Sequence, residues 1–287
     1  MNDPFVLLIH SRTNSASWSE REQNILNHLA VRFPRLRFAG LPFLYDLDPE
    51  SNAVQWIRDR KGPLLIFSFI SDRAVFALLD FFEISCKRSA FSGEIPVSVS
   101  SDSVFCSELS VLSEEDMIPV LEKFSKCVER TFGSEFSGKN SDPLFFELSG
   151  DQEERWYPLL DRDRCAGCLE CLNFCLFGVY SVREDDRPFV LHPNECRNGC
   201  PACSRVCPEE AIIFPLYDDP MISGRSAQEK LAGNKEGKSV RDLFPDSLGE
   251  EEKDLLESRL FKSKEQKNDL DSEMERLIED TEKLIRD

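Results

Sequence analysis

The chain has 287 residues, 41% of them hydrophobic, with 53 acidic against 35 basic side chains and a formal net charge of −18. That length and apolar content suit one large domain or two ordinary ones and exclude a collagen-like or wholly disordered chain. The acidity is spread along the whole chain, which argues against a nucleic-acid partner because phosphate binding needs a basic face.

No apolar run reaches the length of a membrane span. The start, Met1-Asn2-Asp3-Pro4, lacks the basic run and cleavage site of a signal peptide. A cytoplasmic protein is expected, in a reducing compartment that keeps thiols free for metal.

In chain order, Pro4 to His10 is a continuous apolar run, as expected of a strand covered on both faces. A helix follows, with Ser17/Glu20 and Ser19/Glu22 at capping-box spacing and Ile25, Leu26, Leu29 and Val31 on its apolar face. Leu36–Leu41 reads as a second strand, Asp48-Pro49 as a helix start and Leu64–Phe69 as a third strand. Asp72 is expected to cap the next helix, through Ala74, Leu78, Leu79 and Phe82.

This alternation predicts an α/β fold, a parallel sheet with flanking helices, over residues 1–150. Ile95–Val99 reads as a further strand, and Ser113 to Phe132 as a helix with Met117, Val120, Leu121, Phe124 and Val128 on one stripe. Gly133–Asp142 reads as a linker. Residues 151–215 form a small α+β, cysteine-rich module. Residues 216–249 are polar and are expected to be a flexible linker. In residues 250–287 a helical pattern returns, with Leu270, Met274, Leu277, Thr281 and Leu284 on a heptad seam. That helix either docks on its own domain or self-associates as a coiled coil.

Eight of the 11 cysteines lie between Cys165 and Cys207. Cys165, Cys168, Cys171 and Cys175 follow C-x2-C-x2-C-x3-C; Cys196, Cys200, Cys203 and Cys207 follow C-x3-C-x2-C-x3-C-P. A cubane iron–sulfur cluster offers four iron corners, each needing one thiolate, and closely spaced cysteines on a looping backbone reach three of them. Zinc takes paired CxxC units closing one tetrahedron, and four ligands in eleven or twelve residues, repeated, do not fit that pattern; disulfides need an oxidising compartment. Cys86, Cys106 and Cys127 are isolated and read as buried thiols.

This constellation resembles the bacterial-type ferredoxin with two [4Fe–4S] clusters, over roughly residues 156–215. The resemblance implies cross-ligation: Cys165, Cys168, Cys171 and Cys207 on one cluster, Cys196, Cys200, Cys203 and Cys175 on the other. It also implies two strand–loop–helix–strand halves that depend on the metal for stability. Two departures stand out. Leu176 follows Cys175 where the family often has proline, and the Cys196–Cys200 step carries one extra residue that Gly199 is placed to absorb in a turn.

The implied role is electron transfer, docking through the acidic surface on a redox partner with a basic face. Two other roles remain open. One is a redox enzyme whose clusters feed a cofactor or substrate in residues 1–150, and the other is a cluster-stabilised assembly scaffold. For the first, His10 and the polar loop Ser11–Ser17 lie at a predicted strand end, where open α/β sheets bind ligands. Ile9-His10-Ser11-Arg12 and Phe69–Val75 resemble the strand ends of the small chelatases that insert metal into tetrapyrroles. Residues 69–75 contain no histidine, so the resemblance implies a degenerate relative and not a working chelatase.

Overall fold

The computed structural model describes residues 4–9, 12, 20–89, 99–110, 112–133, 145–147 and 154–225. His10, Ser17, Ser19, most of the loop around Arg12, residues 95–98, most of the predicted 133–142 linker and residues 226–287, with the C-terminal helix, lie outside the described residues. The described residues fall into two compact units.

The first unit is built on a six-stranded sheet. Its strands are β1 (Phe5–Ile9), β2 (Arg37–Leu41), β3 (Leu64–Ser68), β4 (Lys87–Ser89), β5 (Ser103–Glu108) and β6 (Phe145–Glu147), in the order β4-β5-β3-β1-β2-β6. All five pairings are parallel, with Val6 opposite both Phe38 and Leu65, and Leu65 opposite Phe105. The two central strands are buried on both faces, which is why they read as unbroken apolar runs.

Side chains alternate across the sheet. Val6, Leu8, Phe38, Leu65, Phe67 and Phe105 face helices α1 (Glu20–Arg32) and α4 (Glu114–Phe132), packing with Leu26, Leu29, Met117, Leu121 and Phe124. Val31, expected on the apolar face of α1, is 73% exposed, because two residues past Leu29 the helix has turned away from the sheet. The Phe105 and Phe124 rings meet edge-on, with centroids 5.6 Å apart. Helices α2 (Asn52–Asp59) and α3 (Asp72–Phe81) bury Val54, Ile57, Val75, Leu78 and Leu79.

The caps depart from expectation at two helices. Ser51, not Asp48, caps α2 by accepting from the Val54 N–H at 3.3 Å. Asp48 instead accepts from the Glu50 N–H at 2.9 Å, closing the turn ahead of the helix. Ser71, not Asp72, caps α3, accepting from the Ala74 N–H at 3.2 Å. At α4, Ser113 accepts from the Asp116 N–H, as the sequence predicts.

The first unit also takes in two later stretches, Leu159–Asp163 and Ile213 to Arg225 among the described residues. β7 (Leu159–Leu160) packs on α3 and pairs with β10 (Ile212–Ile213) in a two-stranded sheet. Arg73 bonds Asp161 at 3.0 Å, and Arg88 bridges Asp80 and Asp163. Where a flexible linker is expected from 216, residues 216–225 fold. Asp219 caps helix α7 (Pro220–Ser223), Pro220 opens it, and Gly224 ends it at φ 84°. The Ser71 hydroxyl donates to the Ser223 carbonyl at 3.1 Å, and both residues are buried. The α/β unit thus takes in chain from both flanks of the cysteine-rich segment.

Among the described residues no helix is long and apolar enough to cross a membrane.

Candidate metal centre

The second unit comprises Trp156–Pro158 and Arg164–Ile212 among the described residues, and holds all eight clustered cysteines. Its two halves place them alike. Helix α5 (Glu170–Phe174) carries Cys171 as its second residue and Cys175 as its C-cap. Helix α6 (Ala202–Val206) does the same with Cys203 and Cys207. The loop before α5 turns through positive φ at Gly167 (75°) and at Leu169 (61°), a conformation that L-residues rarely adopt. The second loop turns at Gly199 (φ 76°), and the Cys200 N–H closes that turn onto the Arg197 carbonyl at 3.1 Å. Glycine at the third position of a hydrogen-bonded turn is the type II arrangement. It absorbs the extra residue of the Cys196–Cys200 step.

The two helices pack together, with Phe174, Leu176, Phe177, Ala202 and Val206 around Cys200. A hairpin of β8 (Tyr180–Val182) and β9 (Pro188–Val190) lies between the cysteine groups in sequence, with Tyr180 opposite Val190. The Ser204 hydroxyl donates to the Ile212 carbonyl at 2.7 Å, and the Trp156 indole donates to the Cys200 carbonyl at 3.4 Å.

The electrostatics divide the thiols. Burial is the first cause that raises Cys171, to about 12. The Leu172 N–H opposes it, and Cys207, Cys165 and Cys168 add to it. Burial also raises Cys207, eased by the Ala211 and Glu209 N–H groups and aggravated by Cys168 and Cys165. The Ala211 N–H lies 3.3 Å from the Cys207 Sγ. Cys196 is raised by burial, then by Cys200 and Cys175. Cys203 is raised by burial and by Cys196, Cys200 and Cys175, with the Tyr180 hydroxyl opposing. Cys200 is raised by burial and by Cys175, against the Ala202 N–H and two arginines.

The neighbours that act on the buried thiols differ between the halves: Cys207, Cys165 and Cys168 on Cys171, and Cys196, Cys200 and Cys175 on Cys203.

Thiols so placed fit a cationic iron core. Burial holds the protons on Cys171, Cys200 and Cys203 until a metal supplies positive charge, and metal binding then releases them. The amides aimed at sulfur supply further partial positive charge. Among the described residues no three His, Cys, Asp or Glu side chains converge on a single ion.

The two described histidines, His28 and His192, do not assemble a site among the described residues. His28 lies exposed on α1 beside Glu114, at 3.2 Å, and His192 is exposed next to the 3-10 turn at Pro193–Glu195. From the polar loop after β1, the Arg12 guanidinium grips the buried Asp46 carboxylate with two bonds of 2.8 and 2.7 Å. It also donates to the Arg155 carbonyl, while the Arg155 N–H donates to Asp46 at 3.0 Å. The anion at Arg12 is a carboxylate of this chain.

Cys86, Cys106 and Cys127 lie in the first unit, apart from the eight, and burial raises the thiol of each. Sequence reasoning missed Tyr180, whose hydroxyl lies 3.1 Å from the Cys203 Sγ.

No protein-family model matches the chain. Curated relatives do. Ferredoxin-3 of Nostoc sp. is 30% identical over 94 residues, 27% of this chain and 84% of that protein. The chain belongs to the ferredoxin family. An uncharacterized ferredoxin of Methanocaldococcus jannaschii is 41% identical over 75 residues, 25% of this chain. Only 50% of that relative's length is spanned. Pyruvate synthase subunit PorD of Methanothermobacter marburgensis is 34% identical over 55 residues, 60% of that subunit. These relatives point to an iron–sulfur electron-transfer role and give the chelatase resemblance no support.

Proposed function

We propose that this ferredoxin carries two [4Fe–4S] clusters and relays electrons singly between redox proteins. The observation that carries the reading is the pair of matching halves, each with one cysteine second in a short helix and another at its C-cap. The ferredoxin likeness implies that Cys207 joins the first group of three and Cys175 the second. The clusters supply the one-electron chemistry. The chain supplies eight thiolates, amide donors to sulfur and an apolar surround of Phe174, Leu176 and Val206 that limits water.

The net charge of −18 supports docking on a basic partner face, with association that weakens as salt rises. The PorD relative is named as a subunit of a larger enzyme. That favours a partner enzyme over free diffusion alone. The α/β unit and the heptad seam from Leu270 to Leu284 then select the partner. At the strand ends of the α/β unit, the Arg12–Asp46 and Ser71–Ser223 contacts are made by the chain itself. They favour a structural part for that unit over a cofactor-binding one.

The interleaving has its own test. Cys175→Ala and Cys207→Ala should each lose ligation of the cluster opposite in sequence, and Cys175→Ala should perturb the same electron paramagnetic resonance signal as Cys203→Ala. If Cys175→Ala instead tracks Cys171→Ala, the two sets are not crossed.

A further inference from the structure

The two halves of the second unit are alike in their cysteines but not in what faces them. Tyr180 is the fifth residue after Cys175 and opens β8; Ile212 is the fifth after Cys207 and opens β10. The Tyr180 side chain is 6% exposed and its Oη lies 3.1 Å from the Cys203 Sγ. The matching position in the other half is an isoleucine, which has no proton to donate. One set of four thiols therefore receives a phenolic hydrogen bond that repeat symmetry denies to the other.

We infer that Tyr180 is a positioning residue that sets the two clusters' reduction potentials apart, making the cluster held by Cys196, Cys200, Cys203 and Cys175 the easier to reduce. The inference rests on the proposed ligation. A one-electron reduction adds one negative charge to the cluster and its thiolates and takes up no proton; the electron comes from an external one-electron donor. A donor hydrogen bond to a ligand sulfur stabilises the more negative state and raises the potential. Burial strengthens the effect, because little water competes for the sulfur. Such a bond gives the relay a direction, since an electron entering at the other cluster runs downhill towards this one.

The test is a redox titration of the anaerobically purified full chain, wild type against Tyr180→Phe, followed by electron paramagnetic resonance, with dithionite as reductant. Iron and sulfide are counted first. A wild type without clusters refutes the proposed function, and the inference falls with it. With clusters in place, one midpoint potential should fall by about a tenfold change in its reduction equilibrium, ~59 mV for one electron, while the other stays. If neither moves, or both move together, the inference is overturned. Should Tyr180→Phe fail to retain its clusters, site-specific 3-fluorotyrosine at 180 keeps the ring and makes a stronger donor. The same single potential should then rise, and an unchanged pair of potentials overturns the proposal.

Discussion

The Ser71 hydroxyl both caps α3, by accepting from the Ala74 N–H, and donates to the Ser223 carbonyl. Ser71→Ala removes both bonds at a site only 2% exposed. Loss of the cap costs about 1 kcal/mol. Leaving the buried Ser223 carbonyl without that donor costs about 1–2 kcal/mol more. The total is ~2–3 kcal/mol. Ser51→Ala is the internal control. It removes a like cap, on the Val54 N–H of α2, with no second bond from that hydroxyl to a distant carbonyl, and should cost only about 1 kcal/mol. Urea unfolding of the cluster-loaded chain, followed by far-ultraviolet circular dichroism, reads both variants at once. Equal losses for Ser51→Ala and Ser71→Ala would refute the reasoning, because the tie from α3 to residue 223 would then contribute nothing.

Gly224→Ala should destabilise by ~2–4 kcal/mol, since φ is 84° and the new Cβ would sit 2.8 Å from the Ser71 Oγ and 3.1 Å from the Ile213 Cγ2. Gly133→Ala, with positive φ but nothing within 4 Å of its Cβ, should lose only the backbone part. Combined with Ser71→Ala, the Gly224→Ala loss should shrink, and strict additivity in the same urea assay would count against the contact. Cys127, 1% exposed on α4, has its thiol raised by burial. It holds its proton more tightly folded than unfolded. That stability is in full below the unfolded value of ~8.5 and is lost as pH rises through the raised folded one. Cys127→Val should flatten the alkaline fall in stability above about pH 8.5, and an unchanged alkaline limb would show that the thiol does not titrate there.

The central strands and the two matching cysteine loops were legible in the sequence for the same reason: both signals are local. β1 and β3 are buried on two faces and so appear as apolar runs, and cysteine spacing is written along a single loop. β4 was not legible. It is an edge strand of Lys87, Arg88 and Ser89, held by the Lys87 N–H on the Asp102 carbonyl and by Arg88 between two aspartates, with no apolar pattern to betray it. β5 mixes Val104 and Phe105 with Ser103, Ser107 and Glu108, so its alternation is weak. At α2 and α3 the sequence offers two cap-capable residues within three positions, and the turn geometry decides between them. Helix α7 was missed although Asp219, Pro220 and Gly224 spell out its start and stop, because the polar composition around it was given more weight than the motif. The Tyr180–Cys203 bond joins residues 23 apart across a hairpin and a loop, and no local pattern announces it.

The most direct test of two clusters is an anaerobic count of iron and acid-labile sulfide in the full chain. About eight of each per chain are expected, with a reduced-state resonance spectrum showing two interacting clusters. One zinc per chain, or two irons with two sulfides, would contradict the account.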